Sequence, residues 1–428
     1  KVAHSEPLAS IEPRNTTPTQ AELDRVTRDL LGFPKVENAD ALTAGKTDQS
    51  IVQNAPVGSA MPATIANFEG VDNVNGVLPP DTVGDIGYDP ISGNKYYMQW
   101  VNLSFRIWNV TNPAAPVSTY GPAAGNTLFT SLGGICASNN DGDPIVLFDQ
   151  LANRWMVSQF ALGFPDDFHQ CIAVSTSANP NGTWYLYDFQ TSTSLMNDYP
   201  HFGVWPDGYY MTVNQFNGTS YAWEGAGVAV FERDTMLQGL ASRMIYIDIG
   251  AVTQDYGGML PTDLDGAVAP PAGTPNYFME WDDSTWLSDP TDTLRIWEFD
   301  VDWTTPANTT FGANASFDPN LMISTANVNP SLTCSGRSCI PQPGTTQGLD
   351  AIADRLMHRL VYRDFGTHQA IVGNHTVNAA AAGSQAGIHW FELRDTGSGF
   401  GMYQQGVYAP NTEQRWMGSI AMDASGNM

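Results

Sequence analysis

The chain has 428 residues, and 18 lysines and arginines stand against 44 aspartates and glutamates, so its net charge is −26 although only 14% of residues are charged. A field of that sign repels phosphate groups, which excludes nucleic acid and anionic membranes as partners. No segment approaches the roughly 18 consecutive apolar residues that a membrane-spanning helix needs.

Residues 1–60 are rich in Pro, Thr and Ala and form a different kind of sequence from the rest. We expect them to be an N-terminal arm carrying one short helix at about residues 18–31. The segment Thr17–Gln20 matches a capping box with proline at the first helical position, and Gly32 matches a helix stop. The arm either packs on the flank of the main domain or serves as a processing or partner-docking segment.

From about residue 78 onward, a unit recurs in which a short strand, a turn and an aromatic-rich strand are followed by a third and usually a fourth strand. The copies lie at residues 79–102, 141–161, 197–216, 262–283 and 349–377, and a sixth copy begins within residues 415–428. Four-strand units repeated without intervening helices are typical of propeller blades.

The repeat therefore predicts an all-β fold: a six- or seven-bladed β-propeller of four-stranded antiparallel blades over residues 61–428. The last blade is incomplete, because the chain stops at Met428 in the middle of a hairpin. Either the natural protein continues past this point, or residues 63–71 supply the strands that close the last blade. An unfinished blade leaves an open strand edge, which predicts self-assembly through that edge.

One turn carries a family resemblance. The run STSANPNGTWYLYDF, residues 175–189, resembles the Asp-box turn of sialidases, written Ser-x-Asp-x-Gly-x-Thr-Trp. Ser177, Asn179, Thr183 and Trp184 occupy its positions, with Asn in place of Asp and the glycine one position late. In that family the turn is a structural hairpin on the rim, so no catalytic role is carried over. Residues 65–428 as a whole resemble uncharacterised secreted bacterial β-propeller proteins, which implies the fold and secretion but no activity.

Four cysteines bear on the compartment. Cys334 and Cys339 bracket a short polar loop, and Cys136 and Cys171 flank two predicted neighbouring strands. They predict two disulfides and hence an oxidising compartment, or else one metal site built from all four thiolates. The polar start at Lys1 is that of a processed secreted product. The sequence thus predicts a secreted, extracellular or cell-surface protein.

Eight Asn-x-Ser/Thr sequons permit glycosylation. They lie at Asn15, Asn102, Asn109, Asn181, Asn217, Asn308, Asn314 and Asn374.

An aspartate recurs just before most of the first strands of the repeat. These residues are Asp81, Asp143, Asp198, Asp265 and Asp350. Their shared position predicts a ring of carboxylates around one mouth of the propeller channel, where a bound Ca²⁺ would relieve their mutual repulsion. The alternative is that each aspartate caps a turn by accepting a backbone N–H bond.

The best local calcium loop is Asn139–Asp143, because Asp141 and Asp143 supply alternating carboxylate ligands and Gly142 between them permits a tight turn. A weaker candidate is Asp263–Gly266, which contains Asp265. Neither loop has the spacing of an EF-hand.

Two functions follow from these features. The main interpretation is a calcium-stabilised propeller that acts as an extracellular binding or surface-assembly module, with carbohydrate or another extracellular protein as its partner. The alternative is a carbohydrate-active enzyme, either a glycoside hydrolase or a polysaccharide lyase, with its site at the channel mouth. The catalytic candidates are Asp143, Asp198, His201, Asp350 and His375. Arg355, Arg359 and Arg363 would either neutralise a uronate or brace neighbouring blades.

Overall fold

The computed structural model describes residues 1–26, 46–53, 64–284, 286, 291–332 and 338–428. The chain divides into two compact units. Unit 1 contains Lys1–Leu31 and Pro62–Gln254, and unit 2 contains Gly32–Met61 and Asp255–Met428. Within the described ranges, no helix is long and apolar enough to cross a membrane.

The N-terminal residues contribute to both units. The regular elements are β1 (Val2–His4), α1 (Gln20–Val26) and β2 (Val52–Gln53). Later helices are short: α2 (Ile135–Ser138), α3 (Arg233–Met236) and the 3₁₀ turns Leu8–Ser10, Gln49–Ile51, Gly125–Thr127 and Pro306–Asn308.

Helix α1 begins later than its sequence suggested. The Thr19 hydroxyl accepts a hydrogen bond from the Glu22 amide at 3.2 Å, and Glu22 Oε2 accepts one from the Thr19 amide at 2.6 Å. The capping box is therefore Thr19–Glu22 and not Thr17–Gln20. Glu22 is the better partner because its carboxylate accepts a hydrogen bond from the Thr19 amide, and because its negative charge is stabilised by the positive end of the helix dipole. Predicted helical residues 27–31 and the stop at Gly32 lie outside the described residues.

Unit 1 contains three successive antiparallel sheets, each built from four consecutive strands. Sheet I is formed by β3 (Val83–Tyr88), β4 (Lys95–Val101), β5 (Ser104–Asn109) and β6 (Val117–Ala124). Sheet II is formed by β7 (Ile145–Asp149), β8 (Arg154–Gly163), β9 (Asp167–Ser175) and β10 (Trp184–Ser192), with β1 paired to β10. Sheet III is formed by β11 (Leu195–Val204), β12 (Gly208–Asn217), β13 (Trp223–Glu232) and β14 (Met244–Asp248).

Unit 2 contains two more four-strand patterns. Sheet IV is formed by β15 (Leu260–Leu264), β16 (Asn276–Asp282) and β17 (Thr293–Asp300), whose outer edge pairs with β18 (Thr310–Phe311) and β19 (Leu321–Ser324). A small hairpin of β20 (Ser338–Ile340) and β21 (Leu349–Asp350) follows. Sheet V is formed by β22 (Leu360–Asp364), β23 (Gln369–Asn378), β24 (Ala386–Asp395) and β25 (Gly401–Tyr408).

The predicted four-strand antiparallel unit is confirmed, whereas the predicted sixth unit is not found. Residues 415–428 contain no strand. The Arg415 amide donates to the Ala386 carbonyl, and the Met417 amide donates to the Thr376 hydroxyl, so the segment lies irregularly against sheet V. The closing segment also differs: β2 pairs in parallel with β25, while residues 64–71 form no strand.

Consecutive sheets of unit 1 pack face to face. Trp155 of β8 belongs to the core shared with sheet I, and Met156 belongs to the core shared with sheet III. This alternation follows from the pleat, which points successive side chains to opposite faces. The first strands also lie beside one another, since the Phe148 amide donates to Asp85 Oδ2 at 2.7 Å.

In unit 2 the first strands of the two sheets are joined directly. β15 and β22 pair in parallel, with Thr262 opposite Leu360. The guanidinium of Arg359 bridges Asp263 and Asp265 of the neighbouring sheet, with Nη2 at 2.9 Å from Asp265 Oδ1. Arg359 therefore braces two sheets, one of the two roles predicted for it.

The disulfide between Cys136 and Cys171 is confirmed and ties α2 to β9 in sheet II. The other predicted pair includes Cys334, which lies outside the described residues.

A buried ion pair links sheets II and III of unit 1. Arg233 donates to both oxygens of Asp149 at 2.7 and 3.0 Å, and the Tyr209 hydroxyl donates to the same carboxylate at 3.0 Å. The Asp149 side chain is fully buried and Arg233 nearly so. A bidentate pair in this setting is geometrically demanding, and the loss of one partner leaves a buried charge unpaired.

We expect Arg233→Met to lower the free energy of unfolding by about 3–5 kcal/mol. The double variant Arg233→Met/Asp149→Leu should recover part of that loss, because it removes the stranded carboxylate as well. Urea unfolding of the three proteins measures both effects. Arg243→Met is the matched control on the same sheet: it breaks the exposed pair with Glu232 and should change stability little. Equal losses in Arg233→Met and Arg243→Met would contradict the expectation.

Candidate functional site

Asp81 and Asp143 occupy the same structural position in successive sheets. Each precedes the first strand of its sheet by two residues, Asp81 before β3 and Asp143 before β7. Both have left-handed backbones, with φ of 42° and 45°. Aspartate is among the few non-glycine residues that tolerate this region, which is why the sequence can place a carboxylate at this turn.

Asp198 reaches the same place from sheet III. It lies in β11 opposite Asn214, immediately before a break in register that is resumed at His201 opposite Thr212. The next residue, Tyr199, has a φ of 53°, which is unusual for a bulky side chain. The Tyr199 amide donates to Asp143 Oδ2 at 3.1 Å, so the start of sheet II is bonded to the residue beside Asp198.

We call Asp81, Asp143 and Asp198 the acid cluster. All three are half-buried, so each keeps part of its surface accessible to solvent. Burial, followed by the charge of Asp198, raises the pKa of Asp81 to about 7. Burial, followed by the charges of Asp81 and Asp198, raises the pKa of Asp143 well above its usual value. Three such groups cannot all ionise together near neutral pH, so the cluster holds a proton that a lone aspartate would have lost.

The raised pKa of Asp81 means that ionisation opposes folding, so stability falls as pH rises from about 4, the unfolded value, through about 7. We expect Asp81→Asn to raise the free energy of unfolding above pH 7 by an amount on the order of 2 kcal/mol and to have little effect near pH 4. Denaturant unfolding at pH 4, 6 and 8 measures the difference, with the exposed Asp72→Asn as the control. A gain independent of pH would refute this explanation.

The other two members of the predicted ring, Asp265 and Asp350, belong to unit 2 and have other partners. Asp265 is ion-paired with Arg359 and Arg363, which supply the positive charge that a metal was predicted to supply. Asp350 lies in the β20–β21 hairpin, where its carboxylate accepts a hydrogen bond from the Ile352 amide at 2.9 Å. That is the turn-capping role left open as the alternative.

In the predicted calcium loop at 139–143, the carboxylate of Asp141 is bonded to other parts of the protein. Asp141 Oδ1 lies 2.7 Å from Arg25 Nε, and Asp141 Oδ2 accepts a hydrogen bond from the Leu162 amide at 2.7 Å. Burial raises the pKa of Asp141 to about 6, while Arg25 acts in the opposite direction. Asp143 has a different partner, the Tyr199 amide, so the two carboxylates of the loop are engaged by separate parts of the protein. In the part of the chain that the structure describes, no group of three or more His, Cys, Asp or Glu residues is arranged to hold a metal ion.

The two predicted histidines differ in environment. His201 is half-buried in β11, and its ring lies at right angles to that of Tyr199 with centroids 4.2 Å apart. His375 is fully buried in unit 2, and its Nε2 lies 2.8 Å from Nδ1 of His389. Burial and the neighbouring His389 lower the pKa of His375 well below its usual value, so this imidazole is neutral and shielded from any ligand in solvent.

Sequence reasoning missed two residues beside the acid cluster, Asn102 and Tyr199. Asn102 entered the sequence analysis as a sequon and as the last residue of the first repeat copy, and Tyr199 only as part of the third copy. Their available signals were weak: an Asn at the end of a predicted aromatic strand, and a Tyr directly after a recurring Asp.

Comparisons with known proteins give a likeness in overall structure alone. Neither a protein-family model nor a curated protein matches the sequence significantly. An exo-1,5-alpha-L-arabinanase from a bovine ruminal metagenomic library is 10% identical, with 76% of this chain and 95% of that chain covered and a TM-score of 0.33. An alpha-L-arabinanase of Penicillium chrysogenum is 8% identical over 79% and 84%, with a TM-score of 0.35. A GH43_1 enzyme of Xanthomonas citri is 12% identical over 79% and 93%, with a TM-score of 0.32. Similarity at this level is too slight to transfer an activity.

Proposed function

We propose that the protein is a carbohydrate-active enzyme that hydrolyses glycosidic bonds at the acid cluster. The observation that carries this proposal is the acid cluster itself: three half-buried carboxylates from three sheets, in which the charge of Asp198 helps to raise the pKa of Asp81 and of Asp143. Glycoside hydrolysis needs one carboxylic acid that stays protonated near neutral pH and a second group that is ionised. Burial and like charge keep one carboxyl group protonated beside others, which supports this division of roles.

The pKa shift of Asp143 assigns the proton donor, and the other two roles are assigned by position in the acid cluster. Asp143, with its strongly raised pKa, is the proton donor to the leaving oxygen. Asp198 is the carboxylate that either activates water or attacks the sugar, and Asp81 keeps Asp143 protonated through its charge. Hydrolysis is favoured over a lyase reaction because three clustered carboxylates would repel the uronate that a lyase must bind.

The fold and the compartment form part of the proposal. Successive four-stranded sheets, with first strands side by side inside each unit, support an interpretation of the sheets as propeller blades. The disulfide supports a secreted protein. Of the eight sequons, those at Asn102 and Asn374 are buried, so glycan attachment is proposed only for the others.

The binding-module interpretation, with Ca²⁺ held by the acid cluster, makes a different prediction. Calcium binding would stabilise the folded protein and remove the mutual repulsion of the carboxylates. Thermal unfolding with added calcium chloride, and again with a chelator, separates the two interpretations. A calcium-dependent rise in Tm that is lost in Asp143→Asn would favour the module.

The direct test is hydrolysis of a panel of neutral and acidic polysaccharides. We expect reducing ends from a neutral polymer and no unsaturated uronate products. Asp143→Asn should lower kcat by roughly 10²–10⁴-fold, because it removes the proton donor. Activity of the native protein should decline as the pH rises through the raised pKa of Asp143, because the proton donor is then lost.

The matched control is Asp166→Asn, which replaces an exposed aspartate of the β8–β9 turn in the same sheet as Asp143. It should retain native activity. The proposal fails if Asp143→Asn folds normally and hydrolyses the same substrate at the native rate.

A further inference from the structure

Asn102 lies in the two-residue turn that joins β4 and β5, where Val101 is paired with Ser104. Its φ is 42°, a left-handed backbone that hairpin turns of this length require and that asparagine adopts more readily than most residues. The turn directs the side chain toward the segment that leads into the neighbouring strand β3. The residue is 4% exposed, so its amide is removed from solvent.

The amide of Asn102 makes two hydrogen bonds to that segment. Nδ2 donates to Oδ2 of Asp81 at 2.9 Å and to the carbonyl oxygen of Pro79 at 2.8 Å. Both partners are acceptors, so the amide orientation is fixed: a flipped amide would set its own oxygen against two others. Asn102 therefore holds the Asp81 carboxylate and the backbone before it together.

The same amide contacts the loop that carries Asp143. A Cβ added to Gly142 would lie 2.4 Å from Asn102 Oδ1, closer than any real contact allows. The Asn102 side chain therefore lies between the segment that contains Asp81 and Gly142, the residue before Asp143. One side chain of sheet I sets the position of carboxylates from two different sheets.

We infer that Asn102 is a positioning residue of the acid cluster, which fixes Asp81 by hydrogen bonds and the Asp143 loop by contact. This inference rests on the proposed hydrolysis for its kinetic consequence. The placement itself does not depend on that function, because it concerns two carboxylates and one amide. Burial of the amide also implies that the sequon at Asn102 carries no glycan in the folded protein.

The first variant is Asn102→Gly, which keeps a residue suited to a left-handed turn and removes the amide. We expect kcat to fall by roughly 10–100-fold, since a small misplacement of a reacting group has effects of this size. KM should stay within about twofold of native, because Asn102 does not line the solvent-exposed part of the site. The melting temperature should fall, because two buried hydrogen bonds are lost, but the variant should remain folded at the assay temperature.

The second variant, Gly142→Ala, does not change Asn102 itself, but the added methyl group forces the Asn102 side-chain oxygen Oδ1 to move. It should reproduce the loss of kcat. Its matched control is Gly397→Ala, at an exposed turn with a φ of 106° and nothing within 4 Å of the added Cβ, against 96° at Gly142. The control carries a similar backbone strain without the clash and should keep native kinetics.

A second readout does not need activity. The carboxyl ¹³C resonance of Asp81 reports its hydrogen bonding, so it should shift in Asn102→Gly and in Gly142→Ala and stay unchanged in Gly397→Ala. If no polysaccharide is cleaved, the proposed function fails while this test still decides the placement. An unchanged Asp81 resonance in both variants, or native kcat in both while Asp143→Asn is inactive, would overturn the inference.

Discussion

Sheet II has both of its broad faces covered by protein, and the site of unit 1 depends on that packing. The strand β8 alone supplies Trp155 to one core and Met156 to the other. Because the cores fix how sheets I, II and III stack, they also fix the distance between the starts of β3, β7 and β11. Carboxylates that repel one another are held together at those starts by apolar packing elsewhere.

Buried carboxylates have different charged neighbours in the two units. In unit 2, Arg295 lies 3.1 Å from Asp282 and 3.5 Å from Glu280, and Arg359 is shared by Asp263 and Asp265. In unit 1, Asp149 has a bidentate arginine, but the charges that shift Asp81 and Asp143 are those of other carboxylates. Arginine pairing is the arrangement expected of a structural group. Like charge that raises the pKa of Asp81 and Asp143, together with left-handed backbone at these residues and at Tyr199, is the arrangement expected where chemistry is performed.

Much of this architecture could be predicted from sequence, because each repeat is specified by patterns of residues that are close together in the chain. Alternating aromatic strands and Gly, Asn and Asp turns specify hairpins through short-range physics, and the five four-strand patterns follow from them. The sixth unit was wrong because residues 415–428 have the same local pattern but lie on sheet V as irregular chain. Local pattern does not report whether a neighbouring strand is available to pair.

The site was predictable in part for the same reason. Asp81, Asp143 and Asp198 share a position in the repeat, and the structure brings them together. Asp265 shares it too, but its partners Arg359 and Arg363 come from a segment almost a hundred residues away, which no repeat alignment shows. Asn102 was missed because its role depends on where a hairpin turn points, and that is set by how sheet I packs on sheet II.

The parallel pairing of β2 with β25 has a consequence for biosynthesis. Val52 and Gln53 leave the ribosome long before Val407 and Tyr408, their partners in unit 2. The strand β2 therefore has no β25 to pair with while the rest of unit 1 is synthesised. The outer edge of sheet V is covered by β2 only at the end of synthesis. A fragment that starts at residue 255 would expose that edge permanently, and exposed strand edges pair with other chains.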